Sequence, residues 1–251
     1  MNIMENKKVS IKKVFHTVFG GPLSERGFVI CKKLGYFMHL TSDEVLKFVL
    51  LTNDQADKRG NRAFYIQAGM ISLYTERLEK LVFLQQGLRA PDLAKELGYP
   101  YRHRYEYDPY DINDAEEQMK AALEEACNIF FPVMDSVKGL SDYVDYCKRY
   151  NVSRLYFSTR FSGDSLALIL LEDHDDFTGI LQRIKKQYEK NGHMDIYEME
   201  EERSKECLFG FGAGERDKVY ADPELYAAAL EEAKRRKEAN LQQLNEWKVI
   251  D

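Results

Sequence analysis

The stretch from Tyr99 to Tyr110, Tyr-Pro-Tyr-Arg-His-Arg-Tyr-Glu-Tyr-Asp-Pro-Tyr, gathers side chains better suited to binding than to reacting. In an extended backbone, successive side chains alternate between two faces. Tyr101, His103, Tyr105 and Tyr107 then share one face, and Arg102, Arg104 and Glu106 share the other. Tyrosine offers a large contact area with few torsions, arginine offers a planar fork of donors, and both are enriched where interfaces concentrate their energy. Tyr101, Arg102, His103, Arg104, Tyr105 and Tyr107 are therefore the candidates for a partner-binding surface, with another protein as the expected partner. Aromatics interleaved with basic residues also suit stacking on single-stranded bases. The plainest reading needs no partner: an edge strand packs its tyrosines under helices and keeps their hydroxyls at the surface.

The other reactive residue types lack their context. Gly210-Phe211-Gly212-Ala213-Gly214 resembles the start of a dinucleotide fingerprint, but Glu215 stands where the last glycine belongs. Such a fingerprint needs strand, turn and helix in succession, so this stretch reads as a flexible glycine loop. Glu172-Asp173-His174-Asp175-Asp176 concentrates hard ligands without the spacing of a calcium loop or a second histidine for zinc. Asp175 and Asp176 read as caps for the helix that follows. No His-Glu-x-x-His or Gly-x-Ser-x-Gly occurs. Cys31 and His39 both fall in expected strands, where a cysteine packs rather than attacks. An enzyme would have to assemble its site from distant residues, with His16, His39, His103, His174 and His193 as candidate bases. Neither a cofactor nor a metal is expected.

The elements that would position these residues are legible from periodicity. Ile11, Val14, Phe15, Val18 and Phe19 predict a helix over 8–20, punctuated by Gly20-Gly21-Pro22, with Gly27 marking the turn into extended structure. Strands are expected at 28–33, 35–41, 45–52 and 63–74, with a last one at 101–107 and short helices over 75–98. Short links between the strands predict an antiparallel meander. From Asn113, the expected N-cap, a helical stripe runs through Ala115, Met119, Leu123, Ala126, Cys127, Phe130, Phe131 and Met134, with Pro132 kinking or ending it. Leu140, Tyr143, Val144 and Cys147 predict another helix, and Phe177, Ile180, Leu181, Ile184 and Tyr188 a third. Asp222-Pro223 begins the last long helix, whose Lys234 to Lys237 read as a solvated face and whose Leu241, Leu244 and Trp247 are offered for packing. The fold class is α+β: a helix plus antiparallel meander over 1–112, then a helical region over 113–251, with one continuous domain as the alternative division.

The helix ending in Gly27-Phe28 and the strand Phe64-Tyr65-Ile66-Gln67-Ala68-Gly69-Met70 resemble a bacterial family of uncharacterised proteins, the domain of unknown function catalogued as number 4304. Gln67 stands where the family's strand carries Asn. The likeness covers residues 10–150 and implies a fold and a bacterial origin, with no catalytic residues to carry over. By analogy with small bacterial α+β proteins that neutralise toxins, immunity is one role to consider.

Composition narrows the setting. The 251 residues are 44% hydrophobic with a net charge of −6, so no global field gathers nucleic acid or anionic lipid. Cys31, Cys127, Cys147 and Cys207 are scattered and read as buried free thiols of a reducing compartment. The first residues lack a signal-peptide core, and the longest apolar run, Leu166 to Leu171, is too short for a bilayer. The expectation is a cytoplasmic, non-membrane protein.

Overall fold

The structure, a computed structural model, describes residues 8–54, 60–76, 78, 88, 90–150, 165–175, 178–205 and 215–250. Strands β1 (Val29–Cys31), β2 (Tyr36–Thr41), β3 (Val45–Asp54), β4 (Arg62–Ser72) and β5 (Tyr105–Tyr107) form one antiparallel sheet in sequence order. Ser42 and Asp43, at φ 52° and 51°, are the central residues of the turn in the three-residue link between β2 and β3, closed by Glu44 N–H donating to Thr41 O at 3.1 Å. Positive φ at both central residues matches the twist of a hairpin, and a short aspartate side chain tolerates it. The register places Phe37, Val45, Val49, Phe64, Ile66 and Ala68 on one face and Met38, Leu46, Phe48, Leu50 and Ile71 on the other. All of them are buried, so both faces of the sheet are covered.

The first face lies under α1 (Ile11–Ser24), α2 (Ala90–Leu97), α3 (Ile112–Ser136) and α4 (Leu140–Tyr150). Its core continues without a break into α5 (Ser165–Leu170), α6 (Thr178–Asn191), α7 (Met194–Lys205), α8 (Glu215–Ala221) and α9 (Pro223–Glu246), through Leu166, Ile184, Tyr197, Val219 and Ala229. The second face receives the end of α9, where Leu244, Trp247 and Val249 cover Cys31, Met38, Phe48 and Leu73. The fold is α+β as expected, with the helical half following the sheet. No described helix is long and apolar enough to cross a membrane.

Several local expectations need correction. Helix α1 passes through Gly20-Gly21-Pro22 to Ser24. Pro22 falls in its last turn, where one bond is lost, while fully buried Phe19 and Leu23 on either side hold the turn to the core. Asp111, not Asn113, caps α3, its side chain accepting from the N–H groups of Asn113 at 2.8 Å and Asp114 at 3.3 Å. Helix α3 continues past Pro132 to Ser136, with Phe130, Phe131 and Met134 buried around the proline. The strand expected over 101–107 contracts to Tyr105–Tyr107. Cys31 and Cys147 are buried, but Cys127 is exposed, because the packed stripe runs through Ala122, Ala126 and Ile129 instead. Within 75–98 only α2 is described as a helix of any length, and Cys207, Phe177 and the glycine loop lie outside the described residues.

Helix α9 starts as its Asp-Pro signal predicts: Asp222 accepts from the N–H groups of Glu224 and Leu225, and Pro223 is the first helical residue. Its middle is not wholly solvated. Ala229, Ala233, Arg236, Asn240, Leu244 and Trp247 recur at three- and four-residue spacing and are all buried. Asn240 Nδ2 donates to the carbonyls of Leu73 at 2.8 Å and Thr75 at 2.9 Å, and Arg236 Nη1 donates to that of Tyr74 at 3.3 Å. Glu232 accepts from Arg235 and Arg236 Nε, and these bonds hold its carboxyl down at about 2. Three consecutive carbonyls that leave the sheet are thereby satisfied by one helix. Replacing Asn240 with Leu strands two of them and should cost about 2 kcal/mol in equilibrium urea denaturation.

Lys47 is the odd residue of β3: it lies between Val45 and Val49 on the core face, only 5% exposed. It is paired across the strands with His39 and Met70, and no carboxylate reaches ion-pair distance among the described residues. Burial, reinforced by Lys138, lowers its pKa below 10.5. Folding therefore prefers the neutral amine, and its contribution to stability grows as pH climbs from the lowered value toward 10.5. Lys47→Met should be more stable at pH 7 by about 1 kcal/mol, with the gain shrinking toward the lysine's unfolded pKa. Urea titrations across that range measure it.

Candidate functional site

The tyrosine and arginine segment divides in two. In β5, Tyr105 and Tyr107 turn inward and are buried, while Glu106 between them is exposed. Tyr105 stacks on Phe64 with ring centroids 5.5 Å apart, directly across the strand pair. Burial, with help from nearby Glu125, raises the Tyr105 hydroxyl well above 10.0, so it stays protonated. The alternation expected from sequence holds here, and it spends both tyrosines on packing.

Residues 101–104 run beside the sheet without joining it. Arg102 N–H donates to Glu125 Oε2 at 2.5 Å, which ties the segment to α3. The Arg102 guanidinium lies 4.9 Å from the Tyr105 ring centroid. Arg104 meets Asp54 at 3.4 Å and Glu106 at 3.8 Å, both exposed pairs worth little in water. His103 stacks on Tyr65, centroids 5.3 Å apart, and its Nδ1 is 3.0 Å from the Tyr101 hydroxyl. Tyr101 is half-buried, and burial pushes its hydroxyl up to about 12. Arg102, His103 and Arg104 thus form an exposed ridge on a fixed backbone.

Between this ridge and β4 opens a cleft of about 230 Å³. Ile66, Ala68, Leu88 and Phe130 make its walls apolar, and Gln67, Tyr101 and His103 bring polar groups to it. Two residues of the binding surface expected from sequence, Tyr101 and His103, meet here. Tyr105 and Tyr107 do not, and Arg102 and Arg104 stand outside the lining. Glu125 and Gln67 were not singled out from sequence. Glu125 offered one signal: it sits at the margin of the α3 stripe, three residues after Ala122 and four before Ile129.

The remaining candidates disperse. Cys31 packs on one face of the sheet, whereas His39, alternating with buried Phe37, lies on the other, so they form no pair. His39 Nδ1 is 3.0 Å from Gly27 O, and burial lowers its pKa. His16 Nε2 lies 3.2 Å from Gly35 O, His174 packs 4.5 Å from the Tyr220 ring, and His193 is exposed between α6 and α7. Of the two residues expected to cap α6, Asp176 lies outside the described residues, and Asp175, like Asp173, is engaged by a basic side chain. Lys148 Nζ binds both carboxylates, Arg216 Nη2 donates to Asp175 O at 2.8 Å, and the Tyr220 hydroxyl donates to Leu168 O and Asp173 O. This cluster ties the turn after α5 to α4 and α8. Among the described residues no group of histidines, cysteines and carboxylates is placed to hold a metal ion.

No family model, no curated protein and no solved structure matches the chain.

Glu125 is the hinge of this arrangement, and its charge works against its position. Burial raises its carboxyl above 4.5 despite bonds from Arg102 N–H and Tyr105. The protonated form is favoured by folding, so its contribution is full below pH 4.5 and is lost as pH rises through the raised value. Glu125→Gln keeps an acceptor for Arg102 and should remove that acid-side dependence while holding stability at pH 7. Glu125→Ala strands the N–H and should cost about 1 kcal/mol, both read from urea midpoints at pH 4 to 7.

Proposed function

We propose that the protein is a non-catalytic interaction or regulatory module of a bacterial cytoplasm, docking a protein partner through the Arg102-His103-Arg104 ridge. The observation that supports it is the ridge itself. Three consecutive residues stand exposed on a backbone held by Glu125 at one end and by buried Tyr105 and Tyr107 at the other. Rigid presentation lowers the ordering cost of binding. Tyr99 and Tyr110, 46% and 52% exposed, flank the ridge with further aromatic area. Free thiols at Cys31, Cys127 and Cys147 fit a reducing compartment. Toxin immunity is one specific form of this reading: a net charge of −6 suits a basic partner at long range, while the ridge arginines would donate to carbonyls or carboxylates of that partner at contact. Kinship of residues 10–150 with the bacterial family is part of the proposal and assigns no residue a role.

One observation favours a catalytic alternative: His103 meets Tyr101 at the cleft, with Glu125 close enough to feel its charge. Yet Glu125 is engaged by Arg102 and Tyr105, and no nucleophile joins them in the cleft among the described residues. The interaction reading carries further.

Affinity capture from lysate of the source cell tests it, comparing the natural chain with Arg102→Glu/Arg104→Glu. A specific protein should be recovered by the first and reduced at least about tenfold by the second, as loss of two arginine anchors implies. Repeated recovery of no specific protein, or equal recovery by both, overturns the proposal.

A further inference from the structure

The outward edge of β4 is unpaired at Ile66 among the described residues. Ala68 O accepts from Leu88 N at 2.6 Å, a bond outside the pairing with β3, while Leu73 N reaches Glu44 O at 2.7 Å and extends that pairing. Backbone groups two residues apart along a strand point the same way. Arg62, Phe64, Ile66 and Ala68 therefore all direct their N–H and C=O away from β3. Arg62 and Phe64 are paired with Tyr107 and Tyr105, and Ala68 is held by Leu88. Ile66 lies between them, beside residues 101–104 where they run outside the sheet. Among the described residues no hydrogen bond meets its outward groups. Ile66 is only 7% exposed, and it lines the cleft. A donor and an acceptor without protein partners at an apolar cleft are available to a ligand that pairs both.

We propose that this cleft binds a small planar cyclic amide of pyrimidine size, its ring N–H donating to Ile66 O and its adjacent carbonyl accepting from Ile66 N–H. A through-running peptide strand is disfavoured, because Tyr105 and Leu88 already occupy the rungs on either side. At about 230 Å³ the cleft suits a single ring better than a larger molecule. Phe130 and Leu88 supply apolar contact for the ring, and Tyr101 closes the side toward the ridge. Gln67 Oε1 accepts from Thr52 Oγ1 at 3.3 Å, which leaves the Gln67 amide N–H₂ to donate to a second ring carbonyl. This site goes beyond the partner-docking ridge and does not depend on it.

Uracil is the probe and 1,3-dimethyluracil, which lacks the N–H donors, is the control, each titrated into the ¹⁵N-labelled full chain and followed by NMR. Uracil should shift the Ile66 amide resonance saturably, with a Kd on the order of 1 mM, as eight heavy atoms at modest efficiency allow. Dimethyluracil should leave that resonance in place, and Tyr101→Ala should weaken uracil at least about threefold. Without ligand, the Ile66 amide should exchange with solvent faster than that of Gln67, whose N–H points into the β3 pairing. Arg102→Glu/Arg104→Glu should leave the uracil response unchanged, so failure of the ridge reading and failure of this one are separable. Absence of an Ile66 shift, an equal response to dimethyluracil, or slow exchange at Ile66 overturns the proposal.

Discussion

Strand β4 has hydrogen-bonding groups on an edge that β3 cannot serve, and much of the fold is an arrangement for satisfying them. Beyond β3 the strand meets β5 at Arg62 and Phe64, Leu88 at Ala68, and then α9 as its chain leaves the sheet. Buried backbone groups without partners cost too much to leave scattered. The price of ending β4 inside the protein is therefore a helix that returns 165 and 167 residues later to donate to Thr75 and Leu73. The bonds from Arg236 and Asn240 lie within the stripe that Ala233 and Leu244 continue as apolar packing. One helix face thus fixes the end of the sheet and covers its second side, so the polar lock sets the register of the apolar cover.

That double role explains why β3 can be buried on both faces. A sheet of five strands with helices on one side alone would leave Met38, Leu46, Phe48 and Leu50 against water. Burying them adds apolar area of the kind that dominates folding free energy, at roughly 25 cal/mol per Å². The arrangement also encloses Lys47, which no carboxylate reaches at ion-pair distance among the described residues, and burial lowers its pKa instead.

Order along the chain, strand alternation and the Asp222-Pro223 cap were legible because each is a local pattern: period two in β4, period 3.6 in α1, a capping residue before a proline. Features governed by distant partners were not. Nothing within a few residues of Arg236 indicates that it will face Tyr74 O rather than solvent, and a run of Lys, Arg, Arg and Lys reads as a wet face until its partner is known. Asp111 and Asn113 are both good cap residues two positions apart, and backbone geometry chose the first, at φ −110° and ψ 110°. Cys127 misled because it adjoins Ala126, and a shift of one position turns a helical residue by about 100° out of the core. At the site, alternation correctly separated Tyr105 and Tyr107 from Glu106, but it could not tell that the strand stops at Tyr105.

The reason it stops there connects the ridge with the cleft. Continuing the ladder would bring His103 opposite Ile66, on the same alternation that pairs Tyr105 with Phe64 and Tyr107 with Arg62. In that ladder Arg102 N–H would face away from β4, and there it meets Glu125 on α3. A carboxylate is a stronger acceptor than a peptide carbonyl, and it holds Arg102 N–H toward α3. Stacking of His103 on Tyr65 sets the imidazole beside the sheet edge rather than on the next rung. Diverting two or three residues in this way does two things together: it lifts Arg102, His103 and Arg104 to the surface, and it leaves the Ile66 rung open beneath them. Glu125 on α3, itself desolvated, anchors Arg102 N–H, and together with the His103 stack it borders both features that distinguish this edge of the sheet from an ordinary one.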